Sequence, residues 1–73
     1  MKTVYDVMQL LKTFGIFVYI GDRKLDLAMM QSELRELYTN NLLPLEEYGQ
    51  ANMILTKEIS ALSDSHEGAG NNE

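Results

Sequence analysis

The sequence predicts an all-α fold, a three-helix bundle, and three observations predict it. Apolar residues recur at helical spacing in three segments, and glycine, paired asparagines and a proline punctuate them. One run alone, Ile16-Phe17-Val18-Tyr19-Ile20, reads like a strand, and no second strand pattern exists to pair with it. The chain has 73 residues and no cysteine, so helix packing or self-association has to stabilise it without a disulfide staple.

The first helix is expected over residues 4–14. Thr3 can cap it, and Asp6 sits at the positive end of the helix dipole. Val4, Val7, Met8, Leu11 and Phe14 form its apolar stripe. Gly15 stands where a left-handed cap is expected, although a helix continuing through Gly15 would cost only about 1 kcal/mol relative to alanine.

Residues 16–20 then read as an extended or partly helical crossover, with Gly21 opening the turn into the next helix. Ile16, Phe17, Val18 and Ile20 are expected to be buried, with Phe17 and Val18 closing one end of the bundle and Tyr19 facing away.

The second helix has two candidate N-caps, Asp22 and Asp26; the later one would bring a staple between Leu25 and Met30. Its expected stripe is Leu27, Met30, Leu34, Leu37, Tyr38 and Asn41, with Asn40 and Asn41 as terminators. Leu25 and Met29 fall nearly opposite that stripe and make a second apolar spot.

Leu42-Leu43-Pro44 reads as a tight connection, and the third helix starts near Pro44 or Leu45. Glu46 and Glu47 suit its N-terminal end, and Tyr48, Ala51, Leu55, Ile59 and Leu62 form its inward stripe. Residues 1–62 are thus one three-helix domain. Residues 63–73 are polar and glycine-rich and are expected to form a disordered acidic tail.

The formal net charge is -5, but residues 1–62 hold 8 acids against 6 bases. A generic phosphate-binding surface should be basic, so charge disfavours nucleic acid as a partner without excluding a local patch. No apolar run approaches the roughly 20 residues of a membrane helix, and an amphipathic segment follows Met1-Lys2 where a secretory leader would be apolar. A cytoplasmic location is expected.

No catalytic site is expected. Ser63, Asp64, Ser65 and His66 supply the residue types of a hydrolase triad, but neighbours in a polar tail cannot hold a fixed geometry. His66 lacks a second histidine or a cysteine to share a metal. Gly15 and Gly21 are too far apart for a dinucleotide loop and no Walker lysine is present, so no cofactor and no small-molecule substrate are inferred.

Tyr5-Asp6-Val7, residues 10–15, Tyr19 with Gly21-Asp22-Arg23, Asp26, and Glu33-Leu34-Arg35-Glu36-Leu37-Tyr38 together resemble the YqgQ family of small bacterial proteins. The resemblance covers residues 1–62. It implies a three-helix fold in a cytoplasmic protein without an assigned activity, and it brings no catalytic residues. Pro44 stands where that family often carries an acidic cap, which leaves the start of the third helix open.

Two binding surfaces are candidates. The first is a homodimer or protein-partner interface through the exposed apolar residues Leu25, Met29 and Met53. The second is a groove for single-stranded nucleic acid built from Lys12, Tyr19, Arg23, Lys24, Arg35 and Tyr38, where aromatic rings stack on bases. Within helices, spacing pairs Lys2 with Asp6 and Arg23 with Asp26.

Overall fold

A computed structural model describes the backbone of residues 1–70 and the side chains of residues 1–63. Ser63 apart, the tail expected at residues 63–73 lies outside the fully described residues, and so does His66. The element order is α1 (Val4–Thr13), α2 (Arg23–Thr39) and α3 (Leu45–Gly70).

Each helix is bounded by local chemistry. At the start of α1 the Thr3 hydroxyl accepts the Asp6 N–H, while the Asp6 carboxylate accepts the N–H groups of Lys2 and Thr3. This is a reciprocal capping box. At its end the Gly15 N–H donates to the Lys12 carbonyl and the Ile16 N–H to the Leu11 carbonyl, at 2.9 and 3.0 Å. These two bonds form a Schellman motif, and Gly15 takes the left-handed conformation it requires, φ 77°.

Helix α2 closes in the same way. The N–H groups of Asn41 and Leu42 donate to the carbonyls of Tyr38 and Leu37, with Asn41 at φ 63°. Of the two candidate caps, Asp22 is the one used: its Oδ1 accepts the Leu25 N–H at 3.0 Å. Asp26 instead accepts the Ile20 N–H at 2.6 Å, which ties the end of the crossover onto the first turn of α2. The staple between Leu25 and Met30 belongs to the unused cap; Leu25 is exposed. Before α3, the Pro44 carbonyl accepts the Tyr48 N–H, so the helix begins directly after the proline.

Helices α2 and α3 share the largest interface, and α1 packs against both. Arg23 meets Glu58, Gln31 meets Asn52 and Thr56, and Tyr38 meets Tyr48. Rising numbers on α2 meet falling numbers on α3, so the two run antiparallel. The core between the three helices holds Val4, Val7, Leu11, Leu27, Met30, Leu34, Leu37, Ala51 and Leu55. Leu43 from the tight α2–α3 connection joins them, almost wholly buried, so the connection also contributes to the core.

The crossover corrects two expectations, the burial of Phe17 and that of Ile20. Residues 16–20 are not helical, and Ile16 and Val18 pack against the core while Phe17, Tyr19 and Ile20 are exposed. Phe17 is 72% exposed and so cannot close the bundle. Over residues 16–19 the alternation has the period of extended backbone, with its phase set by the preceding cap, and the exposed Ile20 departs from it. Ile16 follows the Schellman glycine, where an apolar side chain packs back on the last helical turn, and this sends residue 17 outward. Asn41, expected in the α2 stripe, is likewise exposed because it has left the helix as the left-handed cap.

Candidate functional site

The most exposed aromatic side chains of the described residues sit together on the crossover. Phe17 and Tyr19 are two residues apart on the outward face, the latter 89% exposed. The segment beneath them is anchored by Ile16 and Val18 on the core and by the bond from Ile20 to Asp26. Its side chains line a groove of about 200 Å³ together with Met8, Lys12 and Met30. Lys12 and Tyr19, two members of the candidate nucleic-acid patch, are therefore brought to one place.

The remaining members are not. Arg23 lies in a larger cleft of about 770 Å³ between the start of α1 and the face of α3, where its guanidinium pairs with Glu58 at 3.4 Å. That pairing replaces the expected one with Asp26, whose carboxylate is engaged by Ile20. Arg35 lines a separate polar groove between α2 and α3 with Gln31, Tyr48 and Asn52. The ring of Tyr38 stacks on Tyr48. Lys24 is exposed at the start of α2 and lines none of these grooves.

The three apolar candidates are also separated. Leu25 and Met29 are exposed four residues apart on α2, as their position opposite the stripe predicts. Met53 is exposed on α3 and lines the α1–α3 cleft beside Met1 and Tyr5. Phe17, 72% exposed, belongs to neither candidate set because the apolar composition of the crossover predicts its burial.

Electrostatics single out one group. The Asp6 carboxyl is held below its ordinary value, first by the N–H of Lys2 and next by that of Thr3, which favour the charged form. The expected charge pair of Lys2 with Asp6 is not among the ion pairs of the described residues; the Asp6 carboxylate instead accepts the backbone N–H of Lys2 at 2.8 Å. This is helix capping and gives no catalytic geometry. No helix among the described residues is long and apolar enough to cross a membrane.

The model of the YqgQ-like family matches residues 1–61. The chain belongs to the YqgQ-like family. A relative from Bacillus subtilis (strain 168), named uncharacterized protein YqgQ, is 51% identical over 59 residues, which cover 81% of this chain and 83% of the relative. The matched part of this YqgQ-like chain includes all of α1, the crossover, all of α2 and α3 as far as residue 61.

Proposed function

We propose that this YqgQ-like chain is a cytoplasmic, non-enzymatic interaction module that binds a protein surface, its own copy or another, through the outward face of the crossover. The observation that carries this reading is the exposed pair Phe17 and Tyr19 on an anchored segment. Large aromatic rings held in water give up favourable burial, and covering them recovers it at about 25 cal/mol per Å². Because the segment is already held by Ile16, Val18 and Asp26, little ordering cost is added on binding. Leu25, Met29 and Met53 are further apolar points on other faces.

A second reading, single-stranded nucleic-acid binding, has one observation in its favour. Lys12 lines the same groove as Phe17 and Tyr19, placing a cation beside two rings on which bases could stack.

Amide chemical shifts of isotope-labelled protein separate the two. The first reading expects shifts at residues 16–20 on raising protein concentration or adding a protein partner, with little effect of salt. Binding of labelled oligonucleotides that weakens steeply with salt would overturn it in favour of the second.

A further inference from the structure

The crossover carries more than exposed rings. In extended backbone the N–H and C=O groups of successive residues point to opposite edges. One edge of residues 16–20 therefore belongs to Ile16, Val18 and Ile20, and two of its N–H groups are engaged within the chain, by the Leu11 carbonyl and the Asp26 carboxylate. The other edge belongs to Phe17 and Tyr19. Among the described residues no hydrogen bond reaches the N–H of either. The described elements are three helices, so no strand of this fold can supply the missing partners.

The sequence states what fits that edge. Ile16-Phe17-Val18-Tyr19-Ile20 reads the same in chemical class from either end, and residues 13–21 carry no charge. An antiparallel copy of the segment centred on Val18 would set Ile against Ile and aromatic against aromatic, with no like charges opposed. We infer that a second copy of this chain pairs with residues 16–20 in antiparallel register about Val18, Phe17 and Tyr19 exchanging backbone hydrogen bonds with Tyr19 and Phe17 of the other copy. This names the partner of the crossover surface and rests on the reading that the chain works through it.

The register follows from the free edge. Centring on Val18 makes both 17–19 pairs hydrogen-bonded pairs, using every free N–H of that edge. Shifting the centre to residue 17 or 19 opposes Tyr19 to Gly15 or Phe17 to Gly21, and both glycines have left-handed φ values, 77° and 99°, which interrupt a regular ladder. The contact is symmetric and closes at two copies. Because it covers little more than one short strand per copy, it is a weak, exchanging dimer.

The full chain has no cysteine, so Phe17→Cys and Tyr19→Cys variants each present a single thiol. In the inferred register, position 17 lies about 5.5 Å from position 19 of the other copy, Cα to Cα, within disulfide reach, whereas identical positions are roughly 8 Å apart and outside it. Oxidising an equal mixture of the two variants should give mixed dimer in at least about tenfold excess over either homodimer. An excess of one homodimer, or no cross-linking above a Met53→Cys control, overturns the pairing.

Tyr19→Pro supplies the second measurement. It removes an N–H that makes no bond within the chain, so helicity should be unchanged while concentration-dependent sedimentation is lost; self-association that survives it overturns the edge pairing. A dimer that persists without the 17–19 cross-link sinks the register and leaves the crossover reading standing. A wild-type chain that sediments as a monomer up to about 1 mM sinks the pairing and the self-association arm of that reading together.

Discussion

Tyr38 on α2 and Tyr48 on α3 stack with ring centroids 4.7 Å apart and planes 6° from parallel. A centroid distance that long between parallel rings means an offset stack, the arrangement the ring quadrupoles favour. Tyr38 is the last half-buried residue of α2, and Tyr48 lies one turn into α3, so the stack clamps the two helices beside their connection. A double-mutant cycle of Tyr38→Ala and Tyr48→Ala, read by urea unfolding, is expected to show a coupling of about 0.5–1.5 kcal/mol. Strict additivity would mean that the rings merely lie near one another.

The crossover makes a prediction opposite to the one its composition suggests. Phe17→Ala should change stability by no more than about 0.5 kcal/mol, as for other exposed positions. Ile16→Ala should cost about 1–2 kcal/mol, less than a fully buried isoleucine because Ile16 is only partly covered. Urea titrations of the two variants check the order, and a Phe17 variant as damaged as the Ile16 variant would contradict the observed phase.

Leu34 sits at the centre of the core with no exposure. Leu34→Ala should cost about 2–5 kcal/mol, comparable to the whole stability of so small an unstapled domain. Leu43→Ala should fall in the same range although the residue lies between helices, since it is buried with them. Thermal melts would show the Leu43 variant close to wild type if the connection were only a link.

The pH dependence at the start of α1 follows from Asp6. Its folded carboxyl is held below 3.8, chiefly by the Lys2 N–H. A carboxylate depressed in this way contributes stability in full above its unfolded value, and the contribution is lost as pH falls through the folded one. The capping box should therefore hold at neutral pH and loosen below about pH 4. Asp6→Asn should remove that part of the acid response. Stability measured from roughly pH 6 down to pH 2 in both proteins checks it, parallel curves being the adverse result.

Helix existence was legible because the chain carries local start and stop signals between its helices. Gly15, Asp22, Asn40 with Asn41, and Pro44 act through bonds to neighbours within six residues, so the sequence contains both partners of each interaction. Side-chain phase in the crossover was less legible. A period of two fits either face, and the deciding signal was the cap before it: once Gly15 closes a Schellman motif, Ile16 must lie against the last turn of α1.

The candidate sites fared worse because they depend on how helices meet. Sequence spacing offered Asp26 to Arg23, but a residue 35 positions away takes the guanidinium. For the same reason the basic and aromatic candidates fall apart in space: Lys12 and Tyr19 share one groove, Arg23 and Arg35 line two others, and Lys24 and Tyr38 line none of the three.

Met29 and Met30 are adjacent in sequence and sit in opposite environments, 42% and 2% exposed, because successive helical residues are turned by about 100°. This gives the chain a graded response to oxidants. Met53 and Met29 are exposed and can become sulfoxides without a polar group entering the core. Met30 is shielded while the bundle stays closed, but once oxidised it would place a polar group against Leu27 and Leu34 and oppose refolding. Peroxide should thus leave the fold intact while it modifies exposed methionines and damage it only on reaching the thioethers packed on the core, the partly buried Met8 and then Met30.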